Sequence, residues 1–424
     1  MIRPSAKIAS SNQDVWTIFN TAAAETPGVV HLGQGFMKFA MLATNSKSHS
    51  FNPPDFLLDA AKKALDIVSC NQYSHTKGRE RLRKAIANVY SPLFNRKINY
   101  ETEVVVTAGA NEGMFSAWAA FLDQDDEAPR FFYVSNIAMN GGKLVYCPIH
   151  PPSDETKNMS SAEWTVDMQE LRSLVTPKTK VITLNTPHNP LGKMFSTEEL
   201  LNIGQIAVDH NLLILSDEVY DRLDYTPHRR IATLNPEFAS RTLTVCSAGK
   251  TFGATGWRVG WLIGVPDLIK YVSAAHTRIC FTVNSPLQEA CAYALEVAEE
   301  KNYYKQTVSD YSKRFATIRT VFDDLGLPYV IPQGGYFLMV NFSKVSIPSG
   351  YKFPDSVTVN RAKDFAMAYW LLKEIGVVAI PPTEFFIAEH AHLAENYLRF
   401  AFCKDVETLK EAVCKLRKLE AYIH

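Results

Sequence analysis

Lys250 sits in "CSAGKTFGATGWRVGW" (246–261), among Ser, Ala, Gly and Thr, with Arg258 eight positions later between two tryptophans. Such small neighbours leave an amine either solvated or chemically engaged. Two familiar phosphate-binding patterns fail. To be a nucleotide P-loop, "GKT" needs a glycine five residues before Gly249, and Thr244 stands there. In "GQGFMK" (33–38), Lys38 occupies the place of the third glycine of the dinucleotide fingerprint. Another set does better. "NTPHNP" (185–190), "SDEVY" (216–220), "SAGK" (247–250) and "GWRVG" (256–260) each place polar groups beside a strand-like apolar run. The carboxyl ends of strands in an open α/β sheet converge on one ligand crevice, so the four segments supply a single site.

The residue types in that set match one cofactor. A lysine amine forms a Schiff base with an aldehyde, and pyridoxal 5'-phosphate also needs an acid beside its pyridine nitrogen. Asp217 suits that acid, keeping the ring protonated so that it absorbs electrons when a substrate carbon loses its proton. Asn189 and Tyr220 are placed to hydrogen-bond the ring hydroxyl oxygen. Ser247 and Arg258 flank the lysine as phosphate donors, the arginine with its forked geometry. "TAGANEG" (107–113) reads as a strand, a small-residue turn and a helix start, so Ala110 and Asn111 offer backbone N–H groups and a positive dipole end to the same phosphate. Taken singly, Asp217 would pass for a helix cap, Ser247 for a turn residue and Arg258 for a surface cation; their joint order is what carries the reading.

Strand-like runs at 103–109, 180–185, 212–218, 241–249 and 260–264 position these groups. They are short, β-branched or apolar along their length, as in strands buried on both faces. Between two of them Ser196 and Glu199 stand at capping-box spacing, with Leu200, Ile203 and Ala207 on one helical face. Strand–helix–strand alternation implies a mostly parallel sheet. After residue 285 one long helical pattern runs to Gly326 as a connector. "GGYFLMVNF", "YLRFAFC" and a closing helix from near Asp405, with Leu409, Val413, Leu416 and Leu419 in a stripe, then indicate a smaller α+β unit.

Composition agrees with work on small molecules. The 424 residues hold 44 Lys+Arg against 44 Asp+Glu, so no bulk field recruits nucleic acid or an anionic membrane. The seven cysteines are scattered without a C-x-x-C pair, which favours reduced thiols and no metal site. No apolar run approaches the roughly 18 residues of a membrane span. A cytoplasmic location is expected. The acid-free opening "MIRPSAKIASSNQ" also suits a weak mitochondrial presequence, a plain disordered tail being the better fit.

The motifs "LGQGF", "NQYSHTKGRE", "NTPHNPLGK", "SDEVY", "SAGKTFGATGWRVGW" and "YLRFAFCKD" stand in the order found in fold type I pyridoxal-phosphate aminotransferases of class I/II. The chain resembles above all the kynurenine aminotransferase and glutamine transaminase K group, fungal kynurenine aminotransferases in particular, over about residues 12–424. The resemblance implies a three-layer α/β/α large domain at 54–295, a small C-terminal domain with its connecting helix at 296–424, and an arm at 1–53 belonging partly to the small domain. It makes Lys250 the Schiff-base lysine and general base. Arg399 becomes the partner of the substrate α-carboxylate, helped by Asn189 and the Gly35 N–H. Tyr73 becomes the tyrosine that reaches the phosphate of the neighbouring subunit in a homodimer. Trp16 and "TEFFIAEH" (383–390) line the side-chain pocket, and Phe132, or its neighbour Phe131 or Tyr133, stacks on the pyridine ring. The implied reaction is ping-pong transfer of the amino group of kynurenine, or of another aromatic or large neutral amino acid, to 2-oxoglutarate. Cysteine-S-conjugate β-lyase activity is the alternative on the same fold.

Two segments depart from that pattern. Residues 37–50 form an insert after "LGQGF", and the stretch near 128–133 is about five residues short, with Ala128, Pro129 and Arg130 poorly suited to an apolar buried strand. Misplaced exon boundaries would explain both. The rival expectation is an impaired enzyme or a binding-only pseudoenzyme that has lost an internal strand.

Overall fold

The computed structural model describes residues 14–35, 53–130 and 134–424. The insert at 37–50 and Phe131, Phe132 and Tyr133 lie outside the described residues. Among the described residues, thirteen strands form three sheets. In chain order they are β1 (Val30–His31), β2 (Val104–Thr107), β3 (Glu127–Arg130), β4 (Lys143–Tyr146), β5 (Met159–Ser160), β6 (Val181–Asn185), β7 (Leu213–Asp217), β8 (Thr242–Ser247), β9 (Gly260–Ile263), β10 (Tyr329–Ile331), β11 (Phe337–Asn341), β12 (Val377–Val378) and β13 (Tyr397–Ala401).

The large sheet runs β2-β9-β8-β7-β6-β3-β4 and is parallel except for β9, which is antiparallel to β2 and β8. Alternation along its strands explains the layers. Val104, Val106, Cys246 and Trp261 face helices Glu80–Tyr90 and Ser285–Val297 on one side, whereas Val105, Val245 and Leu262 face helices Ala110–Phe121 and Pro266–Ile279 on the other. With a helical layer on each face, the strands can be apolar throughout. Helix Thr197–Asp209 begins with the expected capping box, Ser196 and Glu199 exchanging side-chain and backbone hydrogen bonds. The smaller sheet, β13-β11-β10-β5, and the parallel pair β1-β12 share a second core that includes Leu338, Leu398, Phe400, Val377 and Leu409. No helix among the described residues is long and apolar enough to cross a membrane.

Two expectations are corrected. The helical pattern after 285 is two helices, Ser285–Val297 and Tyr303–Asp324, because Asn302 adopts a left-handed conformation (φ 52°) between them. The supposed loss of an internal strand is also overturned. Glu127–Arg130 forms β3 between β6 and β4, with Ala128 fully buried against Leu122, Val181 and Leu213. Pro129 brings no N–H to this ladder. On the β6 side the pairing therefore rests on the two ends, where Glu127 bridges Thr179 and Arg130 pairs Thr183. Small side chains replace a longer apolar strand without opening the sheet, which removes the structural ground for a pseudoenzyme.

If β3 is integral to the sheet, Ala128→Asp buries an uncompensated carboxylate and should cost about 3–5 kcal/mol of stability. Chemical denaturation of the purified variant checks this, and an unchanged midpoint would place the segment outside the cooperative core.

Candidate active site

Three adjacent parallel strands deliver the polar set. Asn185 closes β6, Asp217 closes β7 and Ser247 closes β8, with Asn185 in register with Asp217. The carbonyl of Asp217 accepts from Asn185 Nδ2 at 3.1 Å, and Asn185 Oδ1 accepts from the Asn189 N–H at 2.7 Å. One amide thus ties strand end to loop and aims Asn189. Asp217 itself is wholly buried, its Oδ1 accepting from the Val219 N–H at 3.3 Å. Tyr220 is buried three residues after Asp217, and burial foremost, then the Asp217 charge, holds its phenol well above the usual range.

Lys250 stands on the short helical turn Ala248–Thr251 directly after β8. Its Nζ donates to the Tyr336 hydroxyl at 3.0 Å and lies 5.7 Å from the ring centroids of both Tyr220 and Tyr336. Burial, opposed by Cys403 and Asp217 and reinforced by Arg399 and Arg258, pulls the amine down to about 8. A lysine so placed is largely a free base in mildly alkaline solution, the form in which an amine is a nucleophile or a proton acceptor.

Arg258 and the turn before helix Ala110–Phe121 meet across the sheet edge. Gly109 has φ 81°, and a Cβ there would lie 2.4 Å from Arg258 Nη2. Only glycine admits both the conformation and the guanidinium. Arg258 Nη1 also donates to Thr255 O at 3.0 Å. Ala110 and Asn111 occupy the first helical turn, where backbone N–H groups have no intrahelical partner, so a cation and a positive helix end face the same space.

Arg399 lies in the middle of β13, only 1% exposed. Its Nη1 donates to Asn189 Oδ1 and its Nη2 to Gly33 O, each at 2.8 Å. Nε is buried with no hydrogen-bond partner, and among the described residues no carboxylate pairs with the group. Aromatic rings wall it instead, Phe337 at 4.3 Å, Phe385 at 4.8 Å and Trp16 at 5.6 Å from the guanidinium carbon. Burial lowers its pKa to about 10. Trp16 reaches this place because Asp14 caps its helix, accepting from the Trp16 N–H at 2.8 Å.

Segment 33–35 is clamped carbonyl by carbonyl. Gly33 O accepts from Arg399, Gln34 O from Lys404 at 3.1 Å and Gly35 O from Tyr336 at 2.7 Å. A side chain at Gly35 would collide with the rings of Phe337 and Tyr336, at 2.8 and 2.9 Å.

Lys250, Tyr220, Asn189, Asp217, Arg258, Arg399, Trp16 and Gly35 therefore gather around one crevice, with Ser247, Ala110 and Asn111 on the segments that border it. Tyr73 stands apart, 83% exposed and edge-on to Phe281 at 5.4 Å. The sequence reading missed Tyr336, which touches Lys250, and Phe337, which stacks on Arg399. "GGYFLMVNF" had read only as a strand, and nothing local distinguishes these aromatics from core residues.

The comparisons with known proteins fit this geometry. Residues 37–416 match the family model for aminotransferase class I and II. The chain belongs to that family. It is 45% identical to a probable kynurenine–oxoglutarate transaminase (BNA3) of Saccharomyces cerevisiae, over 98% of this chain and 94% of that protein. It is 38% identical to kynurenine–oxoglutarate transaminase of Dictyostelium discoideum, over 99% and 97% of the two chains. The crystal structure of Bna3p, a putative kynurenine aminotransferase from Saccharomyces cerevisiae, covers 100% of both chains with a TM-score of 0.94 and 44% identity. The protein is thus a pyridoxal-phosphate-dependent aminotransferase with the fold expected of one.

The depressed lysine gives a pH dependence of defined sign. Burial favours the neutral amine, so protonation sets in only below about 8. Capture of a pyridoxal aldehyde by cofactor-stripped protein should slow by about tenfold per pH unit below that value and level off above it. Stopped-flow absorbance checks this; a plateau reached only near the ordinary lysine range would show that the amine is not depressed.

Proposed function

We propose that the protein transfers the amino group of kynurenine, or of another aromatic or large neutral amino acid, to 2-oxoglutarate. The observation that carries this reading is the buried Arg399. Among the described residues it has no carboxylate partner, its Nε is unsatisfied, and Phe337, Phe385 and Trp16 wall it. A buried guanidinium is costly without a counter-charge, so a substrate carboxylate is its natural complement, and the rings suit a bulky apolar side chain beside it.

The residues also fit the cofactor on their own chemistry. The buried Asp217 carboxylate suits a protonated pyridine nitrogen. Tyr220 and Asn189 suit the ring hydroxyl oxygen. Ser247, Arg258 and the helix turn at Ala110 and Asn111 suit the phosphate, Gly109 leaving the cradle open for it. When bound, pyridoxal phosphate supplies an aldehyde that takes up the amino group and a ring that absorbs the electrons released at Cα. Lys250 would hold that aldehyde and, as a neutral amine, would move the proton at the substrate Cα. Tyr336 and Asp217 steady the amine, while Arg399, Asn189 and the Gly35 N–H hold the carboxylate. Phe132, or its neighbour Phe131 or Tyr133, would stack on the pyridine ring.

A homodimer belongs to the same proposal. Tyr73 and Phe281 form an exposed aromatic pair, with Val68 79% and Leu65 59% exposed close by in the chain. A patch of this kind is expected to be covered by a second copy whose Tyr73 reaches the phosphate. Light scattering should return twice the chain mass, falling toward the monomer with Tyr73→Arg; a monomeric wild type would sink this part. A reducing compartment, cytoplasmic or mitochondrial, is proposed from the seven free cysteines.

Absorbance titration tests the reaction. The band of the lysine-linked cofactor should shift with kynurenine or phenylalanine, return with 2-oxoglutarate, show parallel lines in double-reciprocal kinetics and vanish in Lys250→Ala. A wild-type spectrum that no amino donor changes would overturn the assignment.

A further inference from the structure

The turn that precedes helix Ala110–Phe121 is held from behind by side chains the reaction does not use. Glu112 is the third residue of that helix, and Oε2 reaches back to accept from the Ala108 N–H at 2.8 Å. Oε1 accepts from the Ser116 hydroxyl at 2.5 Å. Both oxygens stand 3.0 Å from Nδ1 of His276, which comes 164 positions later on helix Pro266–Ile279. His276 is fully buried, and its Nε2 is buried without a partner. An unpartnered N–H would be the more costly atom to leave there, which assigns the ring proton to Nδ1 as donor to Glu112.

Cys280 brings a third group near, all ligand atoms lying within 4.8 Å. The carboxylate is nonetheless already engaged by three donors, and Cys280 Sγ donates to Thr282 O at 3.5 Å. The arrangement accounts for itself as a hydrogen-bonded brace with no cation.

We propose that His276 is a positioning residue for phosphate binding, tying the Glu112 carboxylate back against Ala108 and Ser116 so that the 107–111 turn keeps its anion-receiving shape. The inference rests on the assignment of the phosphate to Arg258 and the first turn of the helix. A glutamate at the mouth of an anion site is a hazard, because turned outward its charge opposes the phosphate. Turned inward, it fixes the backbone at Ala108, where the chain leaves β2, next to the Gly109 against which Arg258 is seated. Burial opposes the Glu112 charge, but hydrogen bonds from His276, Ser116 and Ala108 outweigh it and hold the carboxyl below its ordinary range. Helix Pro266–Ile279 can deliver the imidazole because Ile269 and Val272 pack with Met114 and Trp118 of the phosphate helix.

The test compares two aldehydes, pyridoxal 5'-phosphate and pyridoxal, in equilibrium binding to cofactor-stripped protein. In His276→Leu the phosphorylated aldehyde should bind about ten- to a hundredfold more weakly, the scale of one lost charge-assisted hydrogen bond, while pyridoxal changes less than about twofold. His276→Asn, whose amide nitrogen takes the place of Nδ1, should restore most of the loss. Unchanged phosphate-aldehyde affinity in His276→Leu, equal weakening of both aldehydes, or failure of His276→Asn to restore binding each overturns the brace. Wild-type protein that binds the two aldehydes equally well would instead remove the phosphate assignment, and the brace with it.

Discussion

A guanidinium held almost entirely out of water without a carboxylate is an unstable element of any fold unless its surroundings compensate. Around Arg399 they do so from three directions. Asn189 and Gly33 accept its hydrogen bonds, and Phe337, Phe385 and Trp16 take its faces. The backbone beneath it is fixed by β11 on one side and by reciprocal hydrogen bonds with Ile380 on the other, at 2.9 and 3.0 Å. Most of the remaining site is bound to that group. The loop from β6 is aimed at it, the N-terminal segment lies across it, and the aromatic walls lean on it.

The same segment joins the two ends of the crevice. Gly33 O accepts from Arg399, and two residues later Gly35 O accepts from the tyrosine that also receives the Lys250 amine. Arg399 and the Lys250 amine are therefore tied to one short piece of backbone, in which the rings of Tyr336 and Phe337 leave no room for a Cβ at position 35.

Much of this was legible in the amino-acid order. The strand ends at Asn185, Asp217 and Ser247, the capping box at Ser196 and the closing helix after Asp405 all follow from local rules, apolar runs bounded by turn and cap residues. Those rules failed at β3, where four residues with a central proline looked unfit for a buried strand. Neighbouring strands supply the ladder and the small side chains fit the space, a decision of packing rather than of local preference. They failed again near Asn302, where one left-handed residue divides what reads as continuous helix.

The sequence by itself determined the chemical inventory: a lysine in small surroundings, an acid, an arginine and a glycine-bearing turn, each tied to a strand end by patterns only a few residues long. The tertiary structure alone decided which groups meet. Arg399 finds Asn189 across 210 residues, Tyr336 finds Lys250 across 86 and His276 finds Glu112 across 164. Contacts of that span leave no periodic trace in the chain. They arise when two faces of a sheet and two cores close together, and a buried histidine or tyrosine looks the same in sequence whether it fills space or holds a reacting group in place.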